Sequence, residues 1–326
     1  MARNAIIWGM STNGIKKVAV LMGGVSNERT ISLTSGENVA KALESLGKYE
    51  VIRVILDSED LDGLPEDIDA AYIALHGGWG ENGGVQAALD ARKIPYTGPG
   101  AFASKLAMDK IKTKLILEMN GVPTANWSLA SRGALSSPLP LPVVVKPPCD
   151  GSSVGISKVS KPEDWSKALE EALAAQGGEG NILVEEYIPG REMTVGIIDG
   201  VALPVIEIVA KGGWYGWQEK YESDETRYPF ILDEKNDEKT KALSDELQRI
   251  ALKSAKALNC RGVVRVDFRV SPLGRPYVLE LNTSPGFTAH SLVPKAGMKT
   301  GLTFAEVVDK ILSCAKYDSQ EDTCQR

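Results

Sequence analysis

Two short runs of alternating residues, joined by a Pro- and Gly-containing turn, restrict this chain more than any other feature. In Val264-Arg265-Val266-Asp267-Phe268 the apolar residues alternate with Arg265 and Asp267. In Tyr277-Val278-Leu279-Glu280-Leu281-Asn282 the residues Tyr277, Leu279 and Leu281 alternate with Glu280 and Asn282. Successive side chains of a strand point to opposite faces, so each polar pair shares a face. Ser271–Pro276 reads as the turn of an antiparallel hairpin. A turn centred on Leu273-Gly274 sets Asp267 opposite Glu280 and Arg265 opposite Asn282. Like charges directly opposed destabilise a sheet. A divalent cation between the acids removes that conflict, and Asp, Glu and Asn oxygens suit Mg2+. The alternative is a solvated polar face on which Arg265 neutralises both acids. The irregular Gly/Pro loop that follows, Asn282–Thr288, favours the metal, because it can present backbone N–H groups beside it.

The chain of 326 residues has room for two or three domains. Strand-like runs at Lys17–Met22, Glu50–Leu56 and Ala70–Leu75 alternate with helical patterns at Asn27–Leu46 and Gly84–Arg92, which predicts a parallel α/β sheet. One further helix is expected over Ser104–Asn120. Val143–Lys146 reads as a strand running into the loop Pro147–Gly155. A capping box at Ser160 and Glu163 is expected to open a helix that buries Trp165, Ala168, Leu169, Ala172 and Leu173. Ile182–Tyr187 reads as a strand. The last third mixes strands (Met193–Ile198, Ala202–Ile208, Val263–Val270, Tyr277–Asn282) with helices near Glu238–Leu258 and Phe304–Ala315, an α+β pattern. The last helix carries a capping box of Thr303 and Glu306.

Several classes are excluded or disfavoured. A net charge of −6, from 43 acidic and 37 basic residues, argues against a nucleic-acid partner. The four cysteines form no CxxC and no zinc spacing. No apolar run approaches the roughly 20 residues of a membrane helix. Sparse unpaired cysteine and the lack of a signal-peptide core point to the cytoplasm. Met1–Lys16 reads as an N-terminal extension. Gly78-Trp79-Gly80-Glu81-Asn82-Gly83 matches G-x-G-x-x-G, but it follows the third strand, and no acid stands about 20 residues on, as a dinucleotide site requires. There is no P-loop motif.

Glu280-Leu281-Asn282-Thr283-Ser284-Pro285-Gly286, with His290-Ser291-Leu292-Val293-Pro294 behind it, resembles the C-terminal signature of the D-alanine–D-alanine ligases. The resemblance runs from Lys17 onward. It includes Val20–Gly24 with Asn27-Glu28-Arg29, Ala74–Gly77 with Gly80–Gly83, and Met108-Asp109-Lys110. It continues in Val145-Lys146-Pro147 with Gly151–Gly155, and in Lys220-Tyr221 with Ser223–Thr226. It implies a Rossmann-like, pre-ATP-grasp domain (17–104) followed by a two-part ATP-grasp fold, with a central subdomain (105–187) and a C-terminal subdomain (188–326). It implies a cytoplasmic homodimer that joins two D-alanines through a D-alanyl phosphate, using ATP and two Mg2+ (or Mn2+) and releasing ADP and phosphate. Another ATP-grasp carboxylate–amine or depsipeptide ligase and a non-catalytic ATP-binding scaffold are the rival readings. Tyr221, which relatives making D-alanyl-D-lactate tend to lack, favours the dipeptide, and the intact metal and cation set argues against the scaffold.

The resemblance also assigns residues. Lys110, Lys146 and Lys220 would spread positive charge over the phosphates, where catalysis is mostly positioning and electrostatics. The Gly151–Gly155 loop, Ser153 included, would cover them. Glu185 would lie beside the adenine, with backbone groups of Glu186 and Ile188 on the base and Glu192 on the ribose. Glu28 would pair with the ammonium of the first D-alanine, with Ser152 and Tyr221 in its hydrogen-bonded group. Simple helix-dipole stabilisation is the alternative for an acid at that helix start, and both can hold at once. His76, at a strand's C-terminal end, is expected to contact the first D-alanine, and His290 to be structural. Arg265 and the Gly286 N–H would stabilise the tetrahedral intermediate. Ser291 and Leu292 would hold the second D-alanine's carboxylate. Asp267, Glu280 and Asn282 would hold the metal. Asn82 and Glu186 depart from the family pattern, where Asp and Lys are frequent. Two tryptophans in Gly212–Trp217 fall in the family's mobile loop.

Overall fold

The computed structural model describes residues 14–149, 154–210 and 225–319. Three sheets divide the chain. The first is parallel, in the order β2-β1-β3, from β1 (Lys17–Gly23), β2 (Glu50–Leu56) and β3 (Ala70–Ile73). Helix α1 (Arg29–Ser45) makes the crossover from β1 to β2, and helix α2 (Gly84–Ala91) follows β3. Alternate residues of β1 go to different cores. Val18, Val20 and Met22 join α1, and Ala19 and Leu21 join Val54, Val85 and Leu89. Burial on both faces is what a parallel sheet demands, and the near-continuous apolar run of β1 supplies it.

The single helix expected over Ser104–Asn120 is two, α3 (Ala101–Met108) and α4 (Lys110–Met119). Asp109 breaks it. Its backbone is extended and its carboxylate accepts from the N–H groups of Ile111 and Lys112, an N-cap inside the apolar pattern. The expected domain boundary after residue 104 falls within α3.

The second sheet is antiparallel, in the order β4-β7-β5-β6, from β4 (Trp127–Ala130), β5 (Val143–Lys146), β6 (Ser157–Val159) and β7 (Ile182–Glu186). Helix α5 (Trp165–Ala175) covers it and buries the five predicted residues. The capping box expected there is not formed. A 3-10 turn at Pro162–Asp164 leads into the helix, and neither Lys161 nor Asp164 makes a side-chain cap. Pro162 fixes that turn before a Ser160-capped helix can start.

The third sheet runs β10-β8-β11-β12, with β9 beside β8, from β8 (Arg191–Ile198), β9 (Val201–Ala202), β10 (Ile206–Ile208), β11 (Val263–Val270) and β12 (Pro276–Asn282). The expected strand Ala202–Ile208 is thus interrupted at Leu203–Val205, where Pro204 cannot donate to a ladder. Four more helices among the described residues are α6 (Ile231–Glu234), α7 (Glu238–Ala257), α8 (Leu292–Lys299) and α9 (Phe304–Leu312). The predicted capping box of Thr303 and Glu306 is present at α9. Helix α7, with Ala107 and Leu117 from α3 and α4, packs on the face of β11 and β12 that carries Val266, Phe268, Val278 and Leu281. The opposite face carries Arg265, Asp267, Arg269, Glu280 and Asn282 and is left for chemistry.

The hairpin register is the predicted one at its polar end, with Arg265 opposite Asn282 and Asp267 opposite Glu280. The route differs from the expectation. Phe268 pairs with Val278 and Val270 with Pro276, so the turn centres on Leu273, and a bulge at Leu279 restores the register. Leu279 therefore does not share a face with Tyr277 and Leu281. Val278 and Leu281 are the buried residues.

Candidate active site

Helix α4 sets two lysines four residues apart on one face. Lys110 Nζ lies 3.5 Å from Glu280 Oε2. Lys114 Nζ lies 2.6 Å from Glu185 Oε1. Lys146, at the end of β5, pairs with the other oxygen of Glu185. Glu185, Lys114 and Lys146 are all buried. Burial pushes the Glu185 carboxyl up, but the two ammonium groups outweigh it and hold the group below the usual carboxylate range. Burial lowers the Lys114 ammonium, against the opposing pull of Glu185.

On β11 the Arg265 guanidinium forks onto Asp267, Nε to Oδ1 at 2.9 Å and Nη2 to Oδ2 at 2.8 Å. The polar-face alternative is thus half realised. Arg265 is paired with Asp267, while Glu280 has Lys110. Arg269, on the same face, donates to the carbonyls of Ile188 (3.2 Å) and Gly190 (3.0 Å) and lies 3.4 Å from Glu192. It ties β11 to the turn between β7 and β8. Glu186 N–H donates to Asn126 O at 2.8 Å, and the Glu186 carboxylate accepts from Asn126 Nδ2 at 2.8 Å.

The loop after β12 is moored to the first sheet. His76 contacts the Ser284 carbonyl through Nδ1 at 3.1 Å and the Ser35 hydroxyl through Nε2 at 3.0 Å. A carbonyl can only accept, so Nδ1 carries the proton and Nε2 accepts from Ser35. Both polar atoms of the ring are therefore spent on protein groups. Ser284 Oγ donates to Leu75 O at 2.7 Å. Phe287 packs edge-on to Tyr72, ring centroids 5.3 Å apart. Ser291, preceding α8, accepts from Thr288 N–H at 3.0 Å. A Cβ at Gly286 would stand 2.8 Å from Ser291 Oγ, so only glycine allows that approach. Leu292 is the first residue of α8.

Glu28 occupies the N-cap position of α1 and makes no side-chain cap there. Its carboxylate reaches Gly77 instead, where a Cβ would come within 2.6 Å of Oε2 and φ is +69°. Ser26 Oγ donates to His76 O at 2.6 Å. A cavity of about 160 Å³ lies beside this group, lined in part by Ser26, His76 and Trp79.

Lys110, Glu280 and the Arg265–Asp267 pair thus meet across the end of the hairpin, and the Glu185 cluster sits one turn further along α4, at Lys114. Four predicted site residues, Ser152, Ser153, Lys220 and Tyr221, lie outside the described residues, as do the tryptophans of 212–217. Two residues escaped the sequence reading. Lys114 was signalled by its spacing of four from Lys110, and Arg269 by its parity with Arg265 and Asp267.

The expected metal donors are oxygens that already have partners: Asp267 holds Arg265, Glu280 has Lys110, and Asn282 Oδ1 accepts from Ser284 N–H at 3.1 Å. Asp267 and Glu280 are directly opposed carboxylates on paired strands, and Asn282 adds an amide oxygen. Hard oxygen donors on a rigid ladder fit a divalent cation.

The family profile described as "D-ala D-ala ligase C-terminus" matches residues 115–313. The chain is 43% identical over 305 residues to the D-alanine--D-alanine ligase of Syntrophotalea carbinolica, covering 92% of this chain and 96% of that one. It is 42% identical to the enzyme of the same name from Aromatoleum aromaticum, covering 92% and 96%. Among solved structures, the D-alanine--D-alanine ligase from Bacillus anthracis complexed with ATP superposes with a TM-score of 0.77 at 31% identity, over 92% of this chain and 97% of that one. The VanG D-Ala:D-Ser ligase from Enterococcus faecalis gives 0.78 at 25% identity, over 92% and 99%.

Proposed function

The chain belongs to the D-alanine–D-alanine ligase family, and from that premise we propose how its residues divide the work. The enzyme joins two D-alanines into D-alanyl-D-alanine at the expense of ATP, on a mixed α/β scaffold with an ATP-grasp fold. The observation that supports the division best is the hairpin register, which opposes Asp267 to Glu280 beside Lys110 and Arg265.

Lys110 and Lys146, with Lys220, neutralise the ATP phosphates. A carboxylate oxygen of the first D-alanine attacks the γ-phosphorus, forming a new P–O bond and releasing ADP. The amine of the second D-alanine then attacks the acyl carbon, the C–O bond to phosphate breaks, and the ammonium proton is lost. Arg265, turned from Asp267, holds the reacting carboxylate, and the Gly286 N–H donates to the oxygen on which charge develops. Glu28 binds the first D-alanine's ammonium, in a hydrogen-bonded group with Ser152 and Tyr221. Ser291 and the Leu292 N–H hold the second carboxylate. His76 fixes the Asn282–Thr288 loop, and a contact of its ring with D-alanine would be apolar unless one of its two hydrogen bonds is exchanged.

The Glu186 N–H and the Ile188 carbonyl already have partners, so an adenine edge here meets the Glu186 carbonyl and the Ile188 N–H. Ser153 contacts the phosphates, and Glu192 accepts from the ribose. Asp267, Glu280 and Asn282 are the donors that would hold Mg2+ or Mn2+, two ions in this reading. A bound ion supplies charge screening at the β- and γ-phosphates. The three parts are 17–104, 105–187 and 188–326, with the first boundary better drawn at Asp109. No helix among the described residues is long and apolar enough to cross a membrane. A cytoplasmic homodimer completes the proposal.

The test is ADP release from ATP and Mg2+ with D-alanine, L-alanine, D-alanine plus D-lactate, and D-alanine plus D-serine, the products weighed by mass spectrometry. D-Alanyl-D-alanine from D-alanine alone is the expected result. Turnover only with another acceptor would overturn the second-substrate assignment.

A further inference from the structure

The reaction as divided above gives no task to Lys114, yet it is among the most buried charged side chains of the protein, at 1% exposure. Its ammonium donates to Thr124 Oγ1 at 2.5 Å and Ala125 O at 3.2 Å and pairs with Glu185 Oε1 at 2.6 Å. Two neutral acceptors and full burial anchor it in place. Lys146 differs. Among the described residues its ammonium is held by Glu185 alone. One carboxylate therefore carries two cations, one anchored and one exchangeable.

A buried carboxylate with a single cation would release it only by becoming an uncompensated buried charge, which is strongly unfavourable. With a second cation fixed in place, the first can change partners at little cost. The location supports this. Thr124 Oγ1 donates in turn to Val278 O at 3.1 Å, and Val278 N–H donates to Pro123 O at 2.9 Å. Lys114 thus links Glu185 on the central sheet to β12, two residues before Glu280.

We propose that Lys114 is a positioning residue for the nucleotide: it keeps Glu185 charge-compensated, so that Lys146 is free to leave that carboxylate for the ATP phosphates. The proposal rests on the reading of Lys146 as a phosphate ligand. Lys114 does not touch ATP. It sets the ease with which Lys146 does.

The test compares Lys114→Gln, Glu185→Gln and the double variant. Gln at 114 can still bond Thr124 and Ala125 but carries no charge. Lys114→Gln is expected to raise the KM for ATP, and the Kd of a non-hydrolysable ATP analogue, by about tenfold or more, with the D-alanine KM values within about twofold. In the Glu185→Gln background the same change is expected to matter less than about threefold, because no carboxylate remains to trap Lys146. Lys114→Arg, which keeps the cation and serves if the Gln variant does not fold, is expected to stay within about threefold of wild type. An equal loss in both backgrounds would overturn the proposal, as would a loss in Lys114→Arg as severe as with Gln. Lys146→Met separates the two layers. If it leaves ATP affinity unchanged, the phosphate role of Lys146 has failed and takes the proposal with it. If it weakens ATP while Lys114→Gln does not, only the role of Lys114 has failed.

Discussion

At the scale of single residues, the site is a set of charges that already have partners before any substrate arrives. Arg265 is on Asp267, Lys110 is near Glu280, and Lys146 is on Glu185. Residue types and parity made most of these groups legible in the sequence. Their pairing was not legible, because it depends on where α4 lies across two sheets. The glycine at 286 shows how narrow the tolerances are. Gly286→Ala puts a methyl 2.8 Å from Ser291 Oγ and displaces that hydroxyl from its bond to Thr288. We expect a KM for the second D-alanine raised about tenfold, equivalent to about 1.4 kcal/mol, with the KM for ATP unchanged. Initial rates at varied D-alanine, fitted for two substrate sites, would reveal it, and equal increases at both sites would contradict it.

At the scale of elements, strand positions were read well where apolar alternation was strict, and poorly where one residue broke it. The two acids were set opposite each other correctly, yet the turn was misplaced by half a residue and Leu279 was assigned to the wrong company. Alternation read along one strand cannot reveal a bulge, because the extra residue shows only against the partner strand. Asp109 hid a helix break in the same way. Its apolar neighbours continue a helical period, while its own carboxylate prefers the N–H groups ahead of it. The bulge makes a quantitative distinction. Leu281→Ala removes a fully packed side chain and is expected to cost about 2–4 kcal/mol, whereas Leu279→Ala, at the bulge, is expected to cost under about 1 kcal/mol. Chemical denaturation of the two variants checks this, and equal losses would mean that the strand is regular.

At the scale of the whole molecule, a latch joins the segment after the last helix to Arg261 and to residues 90–98. Arg261 donates to Gly98 O and Lys316 O, both at 2.6 Å, and pairs with Asp318 at 3.2 Å. Asp318 N–H in turn donates to Asp90 Oδ1 at 2.8 Å. Burial raises the Asp90 carboxyl above the usual range, helped by the nearby Asp318 and opposed by that hydrogen bond. An acid raised on folding favours the folded state while protonated. Its contribution is complete below the unfolded value of about 3.9 and is lost as the pH rises through the folded value. Asp90→Asn keeps the acceptor and removes the charge. It is therefore expected to melt higher than wild type at neutral pH and to match it near pH 3–4, as thermal melts across that range can show. A constant difference at all pH values would place the effect elsewhere.

The shared core has a consequence for how the molecule comes into being. One face of the first sheet, with Val20 and Tyr72, packs on Val39 and Leu43 of α1 and is completed only by Val293, Val307 and Ile311. Those partners leave the ribosome more than 200 residues later. At about 5–20 residues per second the nascent sheet waits roughly 10–50 s with that face only partly covered. The central sheet, whose core is drawn from residues 130–184 alone, can close in the meantime. Synthesis thus finishes the middle of this enzyme before its beginning, and holdase chaperones have their longest opportunity at the first strands to be made.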